Sequence, residues 1–133
     1  MDTNQLPKRK SLRLKYYDYT KGGLYFITIC SRHQIKYFAE IRDDRLILND
    51  AGRKIKSIWL QMSQRFSVME LHKYVVMPNH FHAIIELETE GIHSIGDIVG
   101  AFKSLTTNVY IRGIHDEGWM RFDKRLWQRN SPK

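Results

Sequence analysis

Apolar and polar positions along the chain recur with two periods, and the switches between them predict the elements. Leu24-Tyr25-Phe26-Ile27-Thr28-Ile29-Cys30 is a β-prone run following the Gly22-Gly23 break, and it is expected as a central strand. Ile55, Ile58, Trp59, Met62 and Phe66 recur at helical spacing, which predicts a helix over 50–66 with Asn49-Asp50 as its cap. Leu71 to Met77 reads as a second strand. His80 to Leu87 pairs with it as a hairpin across Pro78-Asn79, and Glu88-Thr89-Glu90-Gly91 closes that hairpin. Ser94 with Asp97 resembles a capping box opening a helix over 95–112, with Gly113 as its stop. Ile95, Ile98, Val99, Phe102, Leu105 and Val109 form the apolar stripe of that helix. Both helical stripes read as core. Trp119 to Gln128 alternates and predicts a last strand. The order β-α-β-β-α-β is the ferredoxin-like pattern, an α+β sandwich with two helices on one face of an antiparallel sheet.

At 133 residues the chain is expected to fold as one domain over 13–130, behind a flexible basic arm over 1–12. Its apolar runs are far shorter than the roughly 20 residues a membrane helix requires. Met1 to Gln5 holds no apolar stretch, so no secretion signal is expected. Cys30 is the single cysteine, which excludes an internal disulfide and fits a reducing cytoplasm. Its plainest role is a small buried hydrophobe at a strand end.

Charge narrows the partners. The net charge of +8 and pI near 9.7 point to a polyanion, nucleic acid before an anionic membrane surface. Lys8, Arg9, Lys10, Arg13, Lys15 and Lys21 gather near the start among Tyr16, Tyr17 and Tyr19. Arg121, Lys124, Arg125, Arg129 and Lys133 gather near the end among Trp119, Phe122 and Trp127. Cations interleaved with rings suit unpaired nucleic acid, whose bases stack while its phosphates are neutralised. Arg13, Lys15, Lys21, Lys103, Arg121, Lys124, Arg125 and Arg129 are the candidate DNA contacts. The competing reading of each is a solvated basic surface.

His80 and His82 carry the candidate chemistry. On a strand they point to one face while Phe81 points to the other. Their Cα atoms are then roughly 6.6 Å apart, within reach of one divalent ion. The same spacing also arises in ordinary exposed strand residues, and H-E-x-x-H is a stronger pattern. No Ser-His-Asp or Cys-His arrangement offers a different enzyme class. His33, His72, His93 and His115 stand singly and read as surface or loop residues.

Over about residues 13 to 130 the chain resembles the HUH transposases that use one tyrosine, and more closely the REP-associated tyrosine transposases. The resemblance rests on Tyr19-Thr20-Lys21-Gly22-Gly23-Leu24-Tyr25-Phe26-Ile27-Thr28 and on Tyr74-Val75-Val76-Met77-Pro78-Asn79-His80-Phe81-His82. Ile98-Val99-Gly100-Ala101-Phe102-Lys103-Ser104 and Leu126-Trp127-Gln128-Arg129-Asn130 continue it in order. HUH means histidine, bulky hydrophobe, histidine, here His80, Phe81 and His82. The resemblance implies Mg²⁺ or Mn²⁺ held by the two histidines on a phosphate of single-stranded DNA, often beside a hairpin. It implies attack by a tyrosine, a homodimer, and a bacterial cytoplasmic, nucleoid-associated setting. In such transposases the nucleophilic tyrosine follows the Trp-Gln-Arg segment on a further helix. This sequence ends at Lys133 without one, so activity is expected to be absent or impaired. Tyr110, on the preceding helix, lies outside the nucleophile position and competes as a substitute with a plain packing role. Two rival expectations are a nucleic-acid-binding module without catalysis and a metal-dependent hydrolase using water.

Overall fold

A computed structural model describes residues 23–66, 69–87 and 94–129. The arm over 1–12, the candidate contacts Arg13, Lys15 and Lys21, and the hairpin closure at Glu88 to Gly91 lie outside the described residues. The elements in chain order are β1 (Gly23–Cys30), β2 (Ala39–Arg42), β3 (Arg45–Leu48), α1 (Asp50–Arg65), β4 (Met69–Met77), β5 (His80–Leu87) and α2 (Ile95–Glu117). They form an α+β, ferredoxin-like sandwich, with antiparallel strands and two helices.

The main sheet has the order β1-β5-β4. Its register sets Cys30 against His80 and Thr28 against His82 on one side. On the other side Val75 faces His82 and Met77 faces His80. The central strand is therefore β5, not β1 as its apolar run suggested. β1 lies at one side of these three strands and leaves Leu24 and Phe26 exposed on its outer face.

Both helices cover the opposite face. Phe81 is fully buried, with ring centroids 4.9 Å from Trp59 of α1 and 4.8 Å from Phe102 of α2. Burial on that scale contributes about 3–5 kcal/mol for a large aromatic. Each helix begins where its polar residues indicate. The Asn49 side chain accepts from the Gly52 amide, and Ser94 with Asp97 forms a complete capping box.

Three features depart from the sequence expectation. A second hairpin, β2–β3, turns at Asp43 and Asp44, both with positive φ. Asp tolerates that conformation better than most residues. Next, α2 does not stop at Gly113 but runs to Glu117, capped by Gly118 at φ 74°. Gly113 is buried mid-helix because the Trp119 ring occupies the space a Cβ would take. Finally, Trp119 to Gln128 is not a strand. It folds back irregularly, with Trp119 and Phe122 stacked around Tyr110, and joins the sheet through a single Ser31–Trp127 bridge. That bridge stands beyond β1, where the fourth strand of this fold would lie.

Candidate functional site

The pleat of β5 sorts its side chains. Phe81, Ala83, Ile85 and Leu87 are buried under the helices, whereas His80 and His82 stand on the opposite face. Their rings lie 4.4 Å apart between centroids, at an interplanar angle of 77°. The histidines sit at the start of β5, directly after the Pro78-Asn79 turn. That turn is held by the Ser31 amide donating to the Asn79 carbonyl and the Phe38 amide donating to the Pro78 carbonyl.

The Nδ1 atoms of both rings are engaged. Asn79 donates its side-chain amide to the Gln34 carbonyl at 3.3 Å, which turns its Oδ1 toward His80. His80 Nδ1 then donates to that oxygen at 2.7 Å. His82 Nδ1 shares a hydrogen bond of 2.9 Å with the Thr28 hydroxyl. A proton fixed on Nδ1 of His80 leaves the Nε2 lone pair open for a ligand, the usual role of an outer partner to a metal-binding histidine. Burial, then the neighbouring His82, lowers the His80 pKa and favours its neutral form. Neutral imidazole is the form that binds metal.

The basic candidates divide. Arg125 and Arg129 meet Arg32, His33, Gln34 and Gln128 around a cleft of about 650 Å³. Arg121 and Lys124 are exposed on the same segment but do not line it. Lys103 is half-buried and donates to the Gln128 carbonyl at 3.1 Å. Burial lowers its pKa against a smaller opposing effect of Cys30, which is itself only half-buried. Arg32 was not among the sequence candidates. It enters through a chain reversal that brings it against Asp123, 91 residues away.

Tyr110 belongs to the core. It is 2% exposed, packs edge-on against Tyr37 and Phe38, and donates its hydroxyl to the Met120 carbonyl at 2.6 Å. Burial, then Tyr37, pushes its pKa up to about 12. None of the four tyrosines among the described residues stands beside the histidines. Tyr25 and Tyr74 pair with Ile85 and Ala83 of the helix-facing side, and Tyr37 packs on Tyr110.

The single-histidine expectation fits His33, His72 and His115, all of which are exposed, the last of them on α2. His93 lies outside the described residues. His72 bonds Glu86 at 3.0 Å across β4 and β5, and with Glu70 these offer ligand atoms within 4.8 Å of one another. This trio occupies the far end of the histidine-bearing sheet and has no local mark in the sequence, because strand pairing alone brings Glu86 to the other two.

A ferredoxin-like sandwich with a paired-histidine strand on its open face is the class that the fold and the site define. The chain matches no profile of a known protein family. It is 32% identical over 145 aligned positions to an uncharacterized protein of Haemophilus influenzae, covering 92% of this chain and 75% of that one. It belongs to the same family as that protein. Among solved structures it is similar to a REP-associated tyrosine transposase bound to a REP hairpin, with a TM-score of 0.55 and 21% identity. That likeness covers 89% of this chain, which spans 58% of the length of the transposase. It shows the fold. No helix among the described residues is long and apolar enough to cross a membrane.

Proposed function

We propose that this domain binds single-stranded DNA beside a hairpin and holds a divalent ion, Mg²⁺ or Mn²⁺, through His80 and His82. The carrying observation is the outward histidine pair with its Nδ1 atoms tied to Asn79 and Thr28. The donor set fits such an ion, since two imidazoles leave its remaining positions to oxygens of a nucleic-acid phosphate. Nitrogen donors favour Mn²⁺ over the harder Mg²⁺. When bound, the ion supplies Lewis-acid polarisation of a phosphate oxygen. The chain's own residues fix the ring orientation, keep His80 neutral and present cations to the strand. The solved relative is a transposase bound to a DNA hairpin, which supports DNA as the partner. Strand cleavage by tyrosine is not assigned to Tyr25, Tyr37, Tyr74 or Tyr110, none of which faces the histidines.

The test is binding of a fluorescent hairpin oligonucleotide with Mn²⁺ or EDTA, followed by a denaturing gel. Tight, EDTA-sensitive binding is expected, and His80→Ala with His82→Ala removes calorimetric Mn²⁺ binding. Unchanged Mn²⁺ affinity in that double variant refutes the site. Binding that ignores EDTA but falls steeply with salt favours the second reading, a metal-independent nucleic-acid module. That reading draws on the cations at the far end of the chain. A protein–DNA adduct on the gel would assign catalysis as well, and static light scattering checks the homodimer.

A further inference from the structure

The cleft on Gln34 is built from three cations, of which Arg32 is distant in sequence from the other two. Arg32 follows β1 and lines it from one side, while Arg125 and Arg129 line it from the segment after α2. Desolvation, then the Arg129 and Arg32 guanidiniums, lowers the Arg125 pKa, so Arg125 feels both neighbouring charges. Like charges gathered this way repel, and an anion between them relieves the repulsion.

The fold holds the cluster in place. Arg32 is one-fifth exposed, its amide donates to the Leu126 carbonyl, and its guanidinium donates to the Asp123 carbonyl at 2.6 Å. The Asp123 carboxylate lies 3.8 Å away and is largely in solvent. A guanidinium carries five N–H donors, so one carbonyl bond leaves others for a ligand. Among the described residues no carboxylate lies within 4 Å of Arg125 or Arg129. Trp127 anchors the segment between them, its Nε1 donating to the buried Thr106 hydroxyl at 2.8 Å. His33 and Gln34, which also line the cleft, have positive φ of 59° and 54°. Strain of that kind persists where the surroundings enforce it and gathers at ligand sites.

A hydrogen-bond relay links the cleft to His80. The Gln34 carbonyl accepts from Asn79, whose Oδ1 accepts from His80. Arg32 lies two residues beyond Cys30, the register partner of His80. We infer that Arg32, Arg125 and Arg129 form a phosphate-binding cleft that takes a backbone phosphodiester of the DNA strand next to the one at the histidines. Arginine suits this task because its planar fork matches phosphate oxygens in pairs. The inference rests on the DNA-binding reading and names which cations carry it.

The test is the salt dependence of affinity for a single-stranded, hairpin-bearing oligonucleotide at one fixed Mn²⁺ concentration, so that the ion contributes equally to every variant. Arg125→Ala with Arg129→Ala breaks no hydrogen bond described above, and circular dichroism verifies that the fold is kept. The double variant is expected to lower the slope of log affinity against log salt by about 0.7, the contribution of the one single-strand phosphate left unneutralised. The charge-matched control is Arg65→Ala with Arg112→Ala, exposed and outside the cleft, which is expected to leave the slope nearly unchanged. Equal decreases in both double variants would mean a diffuse basic surface and overturn the cleft. Failure of the unaltered protein to bind the oligonucleotide would instead overturn the DNA-binding reading. Arg32→Lys, which keeps the charge, is expected to weaken affinity by removing paired donors. Undiminished affinity there would remove Arg32 from the site.

Discussion

Asn79 accepts the Nδ1 proton of His80 across 2.7 Å and donates its own amide to the Gln34 carbonyl, so one turn residue fixes both the tautomer and the tilt of the ring. The side chain in the turn between β4 and β5 thus prepares the first side chain of the second strand.

Replacing Asn79 with Ala should therefore weaken Mn²⁺ binding without touching either histidine. Loss of an outer-shell partner typically costs 10–100-fold in metal affinity. Isothermal titration with Mn²⁺ checks it, and an affinity equal to that of the unaltered protein would show that Asn79 does not orient the ring.

The Tyr110 hydroxyl makes a different kind of prediction. Tyr110→Phe removes its bond to the Met120 carbonyl and should cost about 1 kcal/mol in urea unfolding. Its pKa near 12 in the fold exceeds the ordinary value of about 10 in an unfolded chain. The neutral form is favoured in the fold, so this stabilisation is complete below pH 10 and is lost as pH rises from there toward 12. The Phe variant should lack that part of the alkaline loss. Equal alkaline slopes in both proteins would mean that Tyr110 ionises as freely in the fold as outside it.

Thr106 is 1% exposed and accepts from the Trp127 indole while donating to the Phe102 carbonyl at 2.7 Å. Thr106→Val keeps the shape but leaves a buried indole N–H without its acceptor, at a cost of about 1–3 kcal/mol. Thermal unfolding followed by Trp fluorescence reads the loss. A variant as stable as its parent would show that the indole finds another acceptor.

At Gly113 the usual helix preference is reversed. Alanine is ordinarily better than glycine inside a helix by about 1 kcal/mol. Here its Cβ would meet the Trp119 ring, and overpacking of that kind costs about 1–3 kcal/mol. Gly113→Ala should lower the melting temperature. Stabilisation would mean that the ring moves aside freely.

What could be read in the sequence was whatever local physics decides. The caps at Asn49 and Ser94 are bonds between near neighbours, and the opposite orientations of Phe81 and His80 follow from strand period alone. The errors came where distant residues decide. Gly113 looks like a helix stop until Trp119 is seen to need its space. Trp119 and Phe122 imitate strand alternation, yet their rings close over Tyr110. The β2–β3 hairpin is absent from the sequence expectation, and its turn rests on positive φ at Asp43 and Asp44. Arg32 carries no local mark, since its cleft exists only after the chain has returned at Arg125.

The alternation along β5 also divides two kinds of constraint, residue by residue. Phe81 answers to folding, because its buried ring packs against both Trp59 and Phe102. His80 and His82 answer to whatever meets the open face, and the packing of the core is indifferent to them. A lineage released from its chemistry would be free to exchange both histidines while holding the phenylalanine between them. A lineage still using the face would be pinned at all three consecutive positions.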